Sequence, residues 1–166
     1  MKKSTIENRA VMYNEPLYVK PGDGTMTVGE LLEILKDERF AHSAHITIDT
    51  NNENTNNDHN GYLTVAYMCP SGSGCGKLHL ISTRSWVDEP MFSPRVLINK
   101  AGCEDTVGIT KIELEKVLRS VGKNVELTIT TEFDPNETHY PLTSVLKCKE
   151  CNSIHFYSSE ISESEK

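Results

Sequence analysis

An α+β fold, assembled from two copies of a β-α-β-β unit with a pseudo-twofold relation, is what this sequence predicts. Three recurrences point to it: a helix-initiating pattern, a period-two strand that follows it, and a strand pair closed by two cysteines. Each occurs twice, in the same order, along 166 residues. A chain of this length is enough for one domain or two small halves sharing a core, burying roughly two thirds of the unfolded surface.

The lead-in strands come first. "PLYVK" from Pro16 and "PRVLI" from Pro94 each precede a glycine-containing loop and a threonine. Those threonines, Thr27 and Thr110, are followed three residues later by Glu30 and Glu113. That is the capping box, in which hydroxyl and carboxylate each satisfy an amide that the first helical turn leaves without a partner. Met26 and Ile109 stand before the caps, positioned to staple onto Leu31 and Leu114. The apolar spacing carries the first helix to about Lys36 and the second to a stop at Gly122.

"HITID" at 45–49 and "ELTIT" at 126–130 then alternate apolar and polar residues, as half-buried strands do. A polar loop follows each, the Asn-rich "TNNENTNNDHNG" at 50–61 and "TEFDPNETH" at 131–139. The units close with "LTVAYMC" ending at Cys69 and "LTSVLKC" ending at Cys148, a second cysteine at Cys75 or Cys151, and a final strand, "GKLHLIS" or "NSIHFYS". His79 and His155 each fall four residues after that second cysteine. The organisation read from this is an N-terminal extension (1–15), a first repeat (16–83), a connector (84–93), a second repeat (94–158) and an acidic tail (159–166).

The stretch "GSGCGK" at 72–77 superficially suggests a phosphate loop. It lacks the first glycine, since Ser71 stands there, and Leu78 replaces the hydroxyl that would meet magnesium. A strand-like segment also follows it where a helix N-terminus should supply the amides. The cysteines fit the neighbourhood better. Five cysteines, four of them in two close pairs, suggest metal binding in a reducing compartment more than disulfides, and Cys103 is left as a small buried apolar residue.

The two turns, Cys69 to Cys75 and Cys148 to Cys151, resemble the paired knuckles of a zinc ribbon. The resemblance implies one closed tetrahedral site formed by Cys69, Cys75, Cys148 and Cys151, holding a structural zinc with iron as the substitute. Four thiolates leave no position for water, so such an ion fastens the halves and does no chemistry. His79 and His155 are expected on strand faces roughly 13 Å from their cysteines if the chain between is extended, too far to share the ion. They are therefore assigned to packing or to a partner surface, together with Trp86, Met91 and Phe92 of the connector.

Composition narrows the function. A net charge of −7 without a basic stretch disfavours nucleic acid and anionic membranes, and the absence of any long apolar run implies a cytoplasmic chain. No nucleophile elbow or HExxH is present. The reading is a non-enzymatic protein-interaction module, monomer or homodimer. A zinc-ribbon nucleic-acid binder using Lys111, Lys116, Arg119 and Lys123 is the alternative, and a metalloenzyme with a cysteine pair, a histidine and water is a second. "MTVGELLEILKD" at 26–37 resembles the opening of small phage and prophage proteins of unknown function, which implies a phage-encoded modulator of a host protein.

Overall fold

A computed structural model describes residues 17–19, 25–49, 61–69, 75–83, 95–101, 108–131, 139–147 and 153–158. The class is α+β: within these residues there are two helices and two mixed sheets. Trp86, Met91, Phe92, Cys103, Cys148, Cys151 and the acidic tail lie outside the described residues.

In chain order the elements are β1 (Leu17–Val19), α1 (Val28–Leu35), β2 (His45–Asp49), β3 (Val65–Met68), β4 (Leu78–Ser82), β5 (Arg95–Asn99), α2 (Lys111–Arg119), β6 (Leu127–Thr131), β7 (Tyr140–Pro141), β8 (Ser144–Lys147) and β9 (Ser153–Tyr157). Every strand and helix anticipated from the sequence is present. The short β7, in a stretch with no alternation to reveal it, is additional and pairs antiparallel with β6.

Both helices start where the capping residues dictate. In α1 the Thr27 amide donates to Glu30 Oε1 at 2.9 Å while the Glu30 amide donates to Thr27 Oγ1 at 3.3 Å. In α2 the Glu113 carboxylate accepts from the Thr110 amide at 3.0 Å and from its hydroxyl at 3.1 Å. Met26 and Leu31, like Ile109 and Leu114, are buried together in one core, as a hydrophobic staple requires. The buried positions of α1, Val28, Leu31 and Leu35, recur at helical spacing and turn one stripe inward.

The two sheets share a plan. One has the order β1-β8-β9-β2 and the other β5-β3-β4-β6-β7. In each, a hairpin from one half of the chain is flanked by strands from the other half. The β8–β9 hairpin takes β1 on its antiparallel side and β2 on its parallel side. The β3–β4 hairpin takes β5 antiparallel and β6 parallel. The main-chain joints correspond as well. The Met26 amide donates to Leu142 O and the Ile109 amide to Leu63 O. The Gly29 amide donates to Lys123 O, and the Ile112 amide to His42 O. Each helix is thus tied at its N-terminus to the segment that follows the other helix, so the pair runs head to tail.

Alternation sets the core. Ile46 and Ile48 of β2, Leu127 and Ile129 of β6, and Leu78 and Leu80 of β4 are all fully buried and belong to one cluster spanning both sheets. β4 is buried at all five positions, because it lies inside its sheet and both faces are covered. This puts His79, on the face opposite Leu78 and Leu80, in an enclosed setting. Lys111 departs from the basic face anticipated for α2. It is 4% exposed, with Nζ 3.0 Å from Glu115 Oε1. That contact pairs the charges without the alignment of a hydrogen bond, since Glu115 Oε1 has no hydrogen-bond partner. The patch is therefore short of one lysine, neutralised by its own helix. Among the described residues no helix is long and apolar enough to cross a membrane.

Candidate metal centre

The β3–β4 hairpin continues beyond its last paired strand residues, Met68 and Leu78, through a bond from the Cys69 amide to Lys77 O at 3.0 Å. Gly76 has φ +70°, a left-handed conformation that a glycine adopts without steric penalty. The return brings Cys75 over Cys69, whose Sγ accepts a hydrogen bond from the Cys75 amide at 3.2 Å. His79 Nε2 lies 3.0 Å from Cys75 Sγ. The ligand atoms of Cys69, Cys75 and His79 all fall within 4.8 Å of one another.

This corrects two expectations. The separation of roughly 13 Å assumed four extended residues, but the chain turns at Gly76 and β4 begins only at Leu78. His79 is therefore a neighbour of the cysteines and not a bystander. Nor does it offer a partner surface, since it is 5% exposed. His155, half-buried in β9, has its Nδ1 2.5 Å from Thr47 Oγ1. Cys69 and Cys75 are brought together as anticipated. Cys148 and Cys151 lie outside the described residues.

Cross-strand neighbours orient the His79 ring. On the antiparallel side its partner is Tyr67, stacked with ring centroids 4.7 Å apart and planes at 29°. On the parallel side it is Thr128, whose Oγ1 lies 2.6 Å from His79 Nδ1. His139, just before β7, places its ring centroid 4.7 Å from that of His79. A neutral imidazole whose Nδ1–H donates to Thr128 leaves the Nε2 lone pair directed toward the cysteines, the tautomer control that second-shell partners exert at metal sites.

The electrostatics favour the ligand forms. Burial first, and then the positive charges of His139 and Lys77, push His79 down to about 4, so the ring is neutral around pH 7. For Cys69, burial opposes ionisation, yet the amide and thiol of Cys75 and the amide of Gly76 outweigh it and hold the thiol below its ordinary value. Burial, followed by the charges of the two cysteines, pushes Tyr67 up to about 12, which keeps its phenol protonated beside them.

These donors suit a thiophilic ion of tetrahedral preference. With metal–sulfur and metal–nitrogen bonds of about 2.3 and 2.05 Å, tetrahedral geometry sets S···S near 3.8 Å and S···N near 3.6 Å. The Cys75–His79 pair thus needs to open by only about half an ångström to admit zinc. Cys75 is exposed and borders a cleft of about 470 Å³, with Thr27 and the segment 122–126 on the other side, which gives an ion access from solvent.

Thr128, Tyr67 and His139 were not singled out from the sequence. One signal existed for the first: threonine holds the central place in both "HITID" and "ELTIT", in step with the repeated histidine. Comparison with protein-family models, with curated proteins and with solved structures returned no match.

Proposed function

We propose that this chain is a zinc-binding, non-enzymatic protein-interaction module whose ion is held by the thiolates of Cys69 and Cys75 and by His79 Nε2. The observation that carries this reading is the convergence of the three ligand atoms within 4.8 Å, on a hairpin turn whose histidine is already fixed from its far side by Thr128. A mixed sulfur and nitrogen shell suits zinc better than the all-sulfur cage iron favours. Three protein ligands leave one tetrahedral position to fill; in this reading a further protein ligand closes it and the ion is structural, tying the turn to the sheet below it, whereas a water in that position would select the metalloenzyme reading. A protein partner is supported by Tyr62 and Ile112, the large apolar side chains left 42% exposed around the start of α2. The likeness of the α1 segment to phage proteins is the support for placing that partner in a host cell.

We infer in addition that the chain is an internal duplication with a pseudo-twofold relation. The exchanged hairpins, the matching helix joints and the paired Thr–His contacts support it.

The four-thiolate site with Cys148 and Cys151 is the second reading, favoured by the two cysteine turns in the sequence. Against it, Leu78 bonds to Glu126, which bridges the α1 cap Thr27, whereas Ser153 pairs with His45, which bridges the α2 cap Thr110. In a head-to-tail pair those caps stand at opposite ends, about 12 Å apart along helices of this length. X-ray absorption at the zinc edge, on full-length protein purified without added metal, separates the two. Two sulfurs with nitrogen per ion is the expected shell, four sulfurs selects the shared site, and protein without metal refutes both.

A further inference from the structure

A second imidazole shares the sheet face that carries His79. Tyr67, His79, Thr128 and Pro141 stand side by side in register across β3, β4, β6 and β7, and residues two apart along a strand share a face. His139, two residues before Pro141, returns to that face, its ring centroid 4.7 Å from that of His79 and the planes at 56°. The spacing is close to what one shared ion requires. With metal–nitrogen bonds of about 2.05 Å and tetrahedral angles, two imidazoles on one zinc hold their centroids about 5.2 Å apart. His139 is not in the group whose ligand atoms lie within 4.8 Å of one another, but it is exposed, so its side chain can change rotamer without repacking the core. The charge balance points the same way. Two thiolates already neutralise a divalent ion, and a neutral imidazole completes the shell without adding charge beside a buried ring, as a carboxylate would. Glu126, which borders the same cleft as Cys75, is engaged instead by Lys77, with Nζ 3.8 Å from its Oε1.

We propose that His139 is the fourth ligand of the zinc held by Cys69, Cys75 and His79, closing a shell of two sulfurs and two nitrogens. The inference rests on the zinc reading of those three residues. The step is ligand exchange: a ring nitrogen of neutral His139 donates its lone pair to the ion and displaces the water that fills the fourth position until then. The hairpin supplies three ligands by itself, and His139 arrives from the other half of the chain when β7 pairs with β6. The ion then joins the halves through a histidine, without a second cysteine pair.

The test combines X-ray absorption at the zinc edge, which counts sulfurs and imidazoles, with zinc affinity by chelator competition on the full chain. Wild type is expected to show two sulfurs and two imidazoles. H139F keeps an aromatic ring beside His79 and removes both nitrogens. It should show two sulfurs, one imidazole and an oxygen, and bind zinc more than about 100-fold more weakly, beyond the loss that an outer partner of a ligand produces. H139C, which offers a thiolate in the same place, should recover the affinity with three sulfurs and one imidazole, and E126Q should match wild type. An unchanged shell in H139F, at any affinity, overturns the ligand role, as does failure of H139C to recover zinc that H139F has lost. A single imidazole in wild type overturns it while sparing the other three ligands, and a changed shell in E126Q then assigns the fourth position to Glu126. Four sulfurs in wild type, protein without zinc, or a zinc content that C69S/C75S does not reduce refutes the reading on which the inference rests.

Discussion

Replacing Thr128 by valine isolates the contact that aims His79. The substitution keeps the β-branched shape suited to a strand and removes only the hydroxyl 2.6 Å from His79 Nδ1. Both residues are 5% exposed, so water does not readily supply the missing acceptor. A buried donor left without a partner costs about 1–3 kcal/mol. Loss of a second-shell partner typically lowers metal affinity 10- to 100-fold, or about 1.4–2.7 kcal/mol. The two ranges overlap, and T128V should weaken zinc at the His79 site by that factor in a competition titration against a chromophoric chelator. T130V is the matched control. Thr130 lies two residues along the same strand, also buried, and its hydroxyl has no hydrogen-bond partner. Its removal should leave zinc affinity unchanged and thermal stability equal or higher. Affinity of T128V within twofold of wild type, or an equal loss in T130V, would refute the orienting role.

Two further substitutions test the frame that holds the site. Gly108 has φ +83°, and a Cβ there would meet Leu63 O at 2.4 Å, the same oxygen that accepts from the Ile109 amide. G108A should therefore cost about 3 kcal/mol or more and lower Tm by about 6–12 °C in a calorimetric scan, whereas an unchanged Tm would contradict the close approach. At Glu113 burial favours the neutral acid, but the Lys100 ammonium at 2.6 Å and the Thr110 amide and hydroxyl outweigh it and hold the carboxyl below its usual range. A depressed folded pKa stabilises fully above the unfolded value of about 4.3 and loses that contribution as pH falls through the folded one. E113Q should thus cost about 1 kcal/mol in urea unfolding at pH 7, with the gap to wild type closing below about pH 4; a gap that is constant with pH would remove the charge from the explanation.

The helices were legible because their signals are local. Thr27 with Glu30 and Thr110 with Glu113 satisfy amides within one turn, so the pattern that predicts the cap is the cap. The strands were legible for the same reason, since Ile46 and Ile48 or Leu127 and Ile129 alternate wherever their partners lie. What the strands pair with is another matter. Nothing in "HITID" states that it lies parallel to a strand more than a hundred residues later, and β7, two residues long, has no period to detect. The metal centre was half legible. The cysteines announce themselves by spacing, but four extended residues would carry His79 beyond their reach, and only the left-handed backbone at Gly76 brings it back to them. Thr128 and Tyr67 come to the imidazole through ladder register, which is a property of three strands together and not of any one.

The exchange of hairpins between halves has a consequence for how this chain comes to exist. When the first half has emerged from a ribosome, β3 and β4 can close on each other, but the strands that cover their outer edges, β5 and β6, begin only at residues 95 and 127. Until then the hairpin presents two open rows of amides and carbonyls, the surface on which β-structure misassociates. The loops to be closed are long, which slows folding of β-rich chains. An ion gripped early by a single hairpin turn, needing nothing from the far half except the register that brings Thr128, would hold that nascent unit in its final shape while it waits for its partner strands.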